Sequence, residues 1–123
     1  MAAGTLNFTI EQGATFKRLL TFYDADNALM DLTGTSFRGK IAAEAGGAIL
    51  ATFTCTVLNQ ITNPGQVTIE LSATDTSAIP TPDQQDGKKV YANYLYDIER
   101  VNLDSTVDRV LQGNANISPE VTI

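Results

Sequence analysis

Residues 94–123 read YLYDIERVNLDSTVDRVLQGNANISPEVTI, and the predicted fold is built outward from this stretch. Tyr94, Tyr96 and Ile98 place an apolar side chain at every second position, with Asp97 and Glu99 between them. Such alternation is typical of a strand that buries one face and exposes the other to water. We therefore predict a half-buried strand at the beginning of the stretch.

A polar turn and a second strand follow in the sequence. Residues 102–105 are rich in Asn, Asp and Ser, whose short side chains hydrogen-bond the local backbone in turns. The second strand is predicted over 106–112, with Val107 and Leu111 on one face. Gly113–Asn114 then predicts a bulge or kink. One more short strand is predicted within 115–123.

The upstream sequence shows the same period of two in several short runs. A capping-box pattern at Ser72 and Asp75 also predicts one or two helical turns over 73–79, ending before Pro80. The predicted upstream strands cover residues 6–10, 15–23, 36–43, 49–58 and 67–71.

Together these segments predict an all-β domain of seven or eight strands, separated by turns about every ten residues. The best match is an antiparallel two-layer β-sandwich of immunoglobulin-like architecture, and a small barrel is the alternative. We predict one domain over residues 1–123. Within it, residues 1–7 form a flexible N-terminal arm and residues 114–123 an extended C-terminal segment.

The charge and composition exclude several classes of function. Eight Lys and Arg residues against fourteen Asp and Glu residues give a net charge of −6, which a nucleic-acid backbone or an anionic membrane surface would repel. The chain has no histidine, so the commonest general base and metal ligand is missing. Its one cysteine, Cys55, lies in an apolar run and is interpreted as a core residue. We predict no cofactor and no small-molecule substrate.

Two acidic pairs have a structural and a chemical interpretation. Asp24 and Asp26 resemble the start of a calcium loop, but the later glycine and glutamate of such a loop are missing, so we interpret them as a turn. Asp97 and Glu99 lie on one face of a strand, about 7 Å apart by strand rise, a spacing also found in glycosidases. Because no aromatic platform accompanies them, we interpret them as a solvated pair. We predict no catalytic and no metal-binding residues.

Five short motifs occur in order along the chain: EQG at 11–13, DLTG at 31–34, YDIE at 96–99, RVLQG at 109–113 and SPEVT at 118–122. As a set they resemble small structural proteins encoded among the virion genes of tailed bacteriophages. They are also similar to the immunoglobulin-like N-terminal module of some phage baseplate upper proteins. The resemblance extends from about residue 8 to residue 122.

The resemblance implies a non-enzymatic assembly protein, present in many copies at the tail, the baseplate or the fibre attachment. Its expected partners are other virion proteins and copies of itself, and its expected location is the virion, assembled in the host cytoplasm. The N-terminal sequence has no signal-peptide pattern. Two alternatives stay open: a capsid cement protein, and a carbohydrate-binding or glycan-cleaving module.

The terminal segments are the predicted contact regions, because polar, extended segments add strands to a neighbouring sheet through main-chain hydrogen bonds. The tyrosines near the second terminal segment have different predicted environments. Tyr94 and Tyr96 share a face with Ile98 and are predicted core residues, whereas Tyr91 suits the core or an interface equally. The candidate interface residues are Leu6, Phe8, Tyr91, Ile117 and Val121.

Overall fold

The computed structural model describes residues 3–81 and 91–121. This part of the chain contains eight strands and one short helix, which confirms the all-β prediction. The elements are β1 Gly4–Thr5, β2 Phe8–Glu11, β3 Phe16–Thr21, β4 Ser36–Ala42, β5 Ile49–Val57, β6 Gln66–Leu71, α1 Ala73–Ser77, β7 Ala92–Val101 and β8 Val107–Ser118.

The strands form one hydrogen-bonded series in the order β1-β8-β7-β4-β5-β6-β3, with β2 also paired to β8. The long strand β5 connects the two halves of this series. Its first half pairs with β4, from Ile49 to Phe53, and its second half pairs with β6, from Thr54 to Val57. The sheet curls about this strand, and closure into two immunoglobulin-like layers stays a prediction.

Within the segment 1–7 that the sequence predicts to be a flexible arm, residues 4–5 form a short strand. Gly4–Thr5 pairs in parallel with Leu111–Gln112, and β2 continues the same register along Ala115–Ser118. The strand predicted over 6–10 is therefore displaced to Phe8–Glu11, and Leu6 and Asn7 interrupt it. These two parallel pairings also correct the wholly antiparallel prediction.

The hairpin of β7 and β8 is longer and more continuous than predicted. Strand β8 extends without interruption from Val107 to Ser118, so the kink predicted at Gly113–Asn114 and the separate strand predicted within 115–123 are wrong. The register instead shifts where Ile98 pairs with Leu111 and Glu99 pairs with Arg109.

This shift moves Val110 out of the pairing and exchanges the faces of β8. Leu111 is opposite Ile98, whereas Val107 is opposite Val101. Cross-strand partners lie on the same face of the sheet. Ile98 and Val101 are three residues apart on β7 and therefore lie on opposite faces, so their partners Leu111 and Val107 do too. The prediction that Val107 and Leu111 share a face is therefore wrong, because a bulge reverses the alternation.

The core lies on the concave side of the curled sheet. Phe8 packs against Phe16 at 5.3 Å and against Tyr96 at 5.0 Å between ring centroids, which brings β2, β3 and β7 together. Phe53 adds β5, since its ring lies 6.1 Å from those of both Phe16 and Tyr96. Each aromatic pair adds about 0.5–1.5 kcal/mol to what burial alone contributes. The fully buried aliphatic residues are Ile10, Leu32, Ile41, Val67, Ile69, Leu71, Ile79, Ile98 and Ile117.

Arg18 lies on an edge strand of the sheet. Arg18 is exposed on β3, which pairs only with β6 in the described part of the chain. Its guanidinium group lies 4.6 Å from the centroid of the Phe16 ring, so the stem covers the core while the charge stays in water.

The helix and the turn at Asp24 form as their sequences predict. Ser72 caps α1 by accepting a hydrogen bond from the backbone N–H of Asp75, and the Asp75 carboxylate accepts one from the backbone N–H of Ser72. Asp24 Oδ1 accepts from the backbone N–H groups of Asp26 and Ala28, which closes the turn before β4. No helix in residues 3–81 or 91–121 has the length and apolar character needed to cross a bilayer.

Some predicted features lie outside the described residues. They are the first two residues of the arm, the polar loop predicted for 81–89 apart from Thr81, and the last two residues of the C-terminal segment.

Candidate protein-contact site

A groove of about 640 Å³ crosses the convex face of the sheet, and we refer to it as the outer groove. One wall is the β4–β5 hairpin, residues 44–47, and the other is formed by Thr5 and Asn7 at the terminal strand. Its floor is made of outward-facing residues of β4, β7 and β8. These include Lys40, Ala42, Leu95, Asp97, Gln112 and Asn114.

The pairing of the strands explains why these residues share one face. Lys40 is opposite Asp97, Ala42 is opposite Leu95, and Gln112 and Asn114 lie on the other side of β7, opposite Asp97 and Leu95. The hairpin of 44–47 rises beside this floor because Gly46 has a φ of 73°, a left-handed conformation that glycine adopts without strain.

The groove combines apolar and hydrogen-bonding surface. Leu95 and Ile49 are exposed and give it an apolar part. The amides of Asn7, Gln112 and Asn114 offer donors and acceptors, and Asn7 Oδ1 already accepts from the backbone N–H of Asn114 at 3.0 Å. Such a mixture suits an extended polypeptide better than a wholly apolar ligand.

The acidic pair on β7 is engaged by arginines. Arg38 donates to Glu99 at 2.8 Å, and Arg109 Nε lies 3.4 Å from Asp97 Oδ2. All four side chains are at least partly exposed, so each pair contributes about 0–1 kcal/mol. The carboxylates are therefore arranged as members of a cross-strand ladder of charges on the outer face. Within the described ranges, Cys, Asp and Glu side chains form no group of three able to hold a metal ion.

The candidate interface residues are not brought together. Phe8 and Ile117 lie in the core, because their strand positions face inward when β2 pairs with β8, and this corrects their assignment to a surface. Leu6 is 45% exposed at the edge of the sheet beside the outer groove, Tyr91 is 66% exposed before β7, and Val121 is 97% exposed after β8. These three stay interface predictions.

The terminal segments pair with each other, which the sequence did not indicate. Residues 115–117 of β8 are held between β2 and β7, so this part of the C-terminal segment has no free edge for another chain. The outward edge of β1 and β2 has no strand partner in the described part of the chain, and neither has that of β3.

Four of the five sequence motifs contact one another in pairs, YDIE with RVLQG and EQG with SPEVT. Tyr96 of YDIE is opposite Gly113 of RVLQG, and the phenol of Tyr96 donates to the carbonyl oxygen of Leu6 at 2.6 Å. Gln12 of EQG donates to the carbonyl of Ile79 and accepts from the backbone N–H of Glu120 in SPEVT. The motifs thus connect the chain termini to the sheet and to the end of α1.

The DLTG motif fixes the loop before β4. Asp31 Oδ1 accepts from the backbone and the hydroxyl of Thr33, which lowers the pKa of the Asp31 carboxyl. Leu32 is fully buried, and its N–H donates to Gln60 Oε1 at 3.0 Å. Gly34 takes a φ of 77° with the Leu103 side chain lying against it.

The lone cysteine is half-buried rather than fully buried. Burial raises the pKa of the Cys55 thiol to about 11, which leaves little thiolate at neutral pH. This environment agrees with its interpretation as a packing residue.

Sequence reasoning missed the outer groove, although one signal pointed to it. Leu95 is an apolar residue between Tyr94 and Tyr96, so it breaks the alternation and places an apolar side chain on the face that also carries Asp97. The groove walls come from the hairpin of β4 and β5 and from β1, which are distant in sequence, and no local pattern predicts that approach.

The chain was compared with protein-family models and with curated proteins. No family model matches the chain, and no curated protein shows a significant match to it.

Proposed function

We propose that this chain is a non-enzymatic structural protein of a tailed-bacteriophage particle. It acts through contacts with other virion proteins at the tail, the baseplate or the fibre attachment. The family part of the proposal rests on the motif resemblance. The contact part rests on one structural observation: the outer groove lies open beside the edge strand β1.

An open groove next to a strand edge suits an extended segment of a neighbouring protein. The edge supplies main-chain hydrogen bonds, and pockets beside it select alternate side chains. Here Leu95 and Ile49 offer apolar contacts, while Gln112 and Asn114 offer amides. The proposed role of the groove is therefore to receive such a segment.

The positions of the motifs support an architectural interpretation of the resemblance. EQG, YDIE, RVLQG and SPEVT supply hydrogen bonds and close backbone approaches that hold the terminal strands on the sheet. Residues with this task are required by a fold and not by a reaction, which accords with an assembly protein.

The first test is to look for the chain in phage particles. Particles assembled from the gene cluster that encodes the chain are purified on a density gradient and analysed by quantitative mass spectrometry and cryo-electron microscopy. We expect the chain to co-purify at a constant copy number and to occupy density at the tail or baseplate. Its presence in the lysate but not in the particles would refute the proposal.

The second test concerns the groove itself. Leu95→Glu places a charge on the apolar part of the floor, and we expect it to reduce incorporation into particles by tenfold or more. Leu19→Glu is the matched control, because Leu19 is an exposed leucine on β3, outside the groove. Equal incorporation of both variants, with unchanged thermal stability, contradicts the assignment of the groove.

Deletion of residues 1–5 tests the terminal strand. It removes β1 and leaves the edge of β8 at Leu111–Gln112 unpaired, so we expect loss of incorporation. The circular-dichroism spectrum and melting temperature of the purified variant show whether the rest of the sheet persists. A folded deletion variant that is incorporated normally shows that β1 makes no essential contact.

The same particles distinguish the two alternatives. Hundreds of copies on the shell indicate a capsid cement protein, whereas a few rings of copies indicate a tail or baseplate protein. A carbohydrate-directed module instead binds or cleaves soluble oligosaccharides, which calorimetry and product analysis of the purified chain detect.

A further inference from the structure

Three loops form one end of the molecule, opposite the end that carries α1. They connect β3 to β4, β5 to β6, and β7 to β8, and they comprise residues 22–35, 58–65 and 102–106. We refer to them together as the loop rim. No part of the proposed groove contact involves them, since the groove lies on the convex face of the sheet.

Hydrogen bonds hold the first two loops of the rim to each other. Phe22 donates its N–H to the carbonyl of Gly65 at 2.8 Å, and Met30 donates to the carbonyl of Phe22 at 3.0 Å. The Gln60 side chain accepts from the N–H groups of Leu32 and Gly65. The rim is thus preorganised, which reduces the entropy lost when a partner binds.

The third loop adjoins the first through one apolar contact. The Leu103 side chain lies against Gly34, where a β-carbon would overlap it. Asp104 fixes the turn by accepting from both the backbone and the hydroxyl of Thr106.

The rim exposes a large apolar residue from every one of its loops. Ile61 is 93% exposed and Leu103 is 78% exposed, while Tyr23 and Leu29 are about half exposed. Tyr23 and Leu29 face each other in an isolated bridge, so their side chains lie next to one another. Single exposed apolar residues are ordinary, but four on adjoining loops are typical of a contact surface.

The charges of the rim determine what kind of partner fits. Its loops contain four aspartates, Asp24, Asp26, Asp31 and Asp104, and no lysine or arginine. Arg100 of β7 lies two residues before the third loop, but its side chain is mostly buried and is 3.2 Å from Asp108. A partner surface of the same sign would be repelled, and a cationic one would be attracted and oriented.

We infer that the loop rim docks a second protein whose surface presents lysines or arginines around an apolar pocket. The inference rests on the proposed function, because the partner is then another protein of the same particle. A second copy of this chain fits less well rim to rim, since both surfaces are acidic. Nucleic acid and anionic lipid are repelled for the same reason.

The test places a photo-crosslinking amino acid at position 61 of the chain within assembled particles. Ile61 is suitable because its side chain is almost entirely exposed, so replacing it leaves the packing unchanged. We expect ultraviolet light to link position 61 to a segment rich in lysine or arginine in a different virion protein. The same amino acid at position 19 is the control, and we expect it to give no link to that segment.

Variants give a second, quantitative measurement on the same particles. Ile61→Asp should reduce incorporation or mechanical retention of the chain at least tenfold, whereas Leu19→Asp, at an exposed leucine of β3 outside both the loop rim and the outer groove, should not. Asp26→Lys should reduce the salt sensitivity of release from particles between 50 and 500 mM NaCl, because attraction between exposed charges is screened by salt. Asp26 contributes only its backbone N–H to the turn, so this variant is expected to fold.

The outcomes separate this inference from the proposed function. Crosslinks from position 61 only to other copies of the chain, to an acidic or uncharged segment, or to nothing overturn the inference while the chain remains a particle protein. Normal incorporation of Ile61→Asp does the same. Absence of the chain from particles overturns the proposed function, and the rim partner with it.

Discussion

The phenol of Tyr96 in β7 donates a hydrogen bond of 2.6 Å to the carbonyl oxygen of Leu6, 90 residues earlier in the chain. Tyr96 is buried in the aromatic core, and Leu6 interrupts the terminal strand between β1 and β2. The bond therefore anchors the N-terminal segment to the centre of the sheet, beside the outer groove.

Tyr96→Phe removes the hydroxyl and leaves the Leu6 carbonyl without that donor. We expect a loss of about 1–2 kcal/mol in the free energy of unfolding, measured by urea denaturation. Tyr94→Phe is the control, since the Tyr94 hydroxyl donates to the carbonyl of Pro80 in an exposed position, where water replaces it. An equal decrease in the free energy of unfolding for the two variants would show that the hydrogen bond to Leu6 stabilises the fold no more than the exposed one does.

Gly113→Ala tests the close approach of the two termini. A β-carbon at Gly113 overlaps the carbonyl of Leu6, so the terminal strand must shift. Overpacking of this kind costs about 1–3 kcal/mol. Gly4→Ala, in the strand paired with β8, meets only ordinary contacts beginning at 3.6 Å and should change stability by less than about 0.5 kcal/mol. Hydrogen exchange at β1 and β2 should accelerate in the first variant alone.

Thr76→Val tests the joint between α1 and the turn after β2. The buried Thr76 hydroxyl accepts from the N–H of Gly13 at 3.0 Å and donates to the carbonyl of Ala14 at 2.8 Å. Valine keeps the shape but leaves these groups unpaired, which costs about 1–3 kcal/mol.

Thr74→Val is the matched control for this joint, because Thr74 is exposed in the same short helix and carries the same change in helix propensity. Chemical denaturation of both variants gives the comparison. A loss at Thr74 as large as that at Thr76 contradicts the role assigned to the buried hydroxyl.

Alkaline pH should destabilise the fold through two buried groups. Burial raises the pKa of Cys55 from 9.0 to about 11 and that of Tyr96 from 10.0 to about 12. Both groups are neutral when protonated, so the folded state holds their protons to higher pH than the unfolded state does. Their contribution to stability is complete below pH 9 and is lost as the pH rises toward 12.

Urea denaturation at several pH values measures this dependence. We expect the free energy of unfolding to fall between about pH 9 and pH 11, and the fall to be smaller in Cys55→Ala and in Tyr96→Phe. At pH 8 the native thiol should react with a disulfide reagent about a hundredfold more slowly than in urea, since thiolate is the reactive form. A flat stability profile, or fast reaction in the native state, would contradict the burial of these groups.

Local patterns sufficed for most of the individual strands and turns. The alternation in Phe37 and Ile41 predicted the inward face of β4, and the capping box at Ser72 predicted the start of α1. In the DLTG loop, the one apolar residue between two polar ones, Leu32, lies in the core. These features depend on residues within a few positions of each other, so their chemistry is visible in the sequence.

Local patterns predicted less of the candidate site. Leu6, Tyr91 and Val121 are exposed and stay interface predictions, whereas Phe8 and Ile117 are buried, because the face of a terminal strand depends on its partner. The outer groove and the loop rim unite residues from segments tens of positions apart, and only the signal at Leu95 was local.

The sequence by itself determined the all-β class, most of the individual strands and the net acidic charge, because periodicity and side-chain chemistry act locally. Only the tertiary structure decided that the two termini pair in parallel and that a bulge at Val110 reverses which residues of β8 face the core. It also decided that the carbonyl of Leu6 occupies the position of a β-carbon at Gly113. Strand partners and registers are set by contacts between distant segments, and a shift of one residue reverses which side chains are buried.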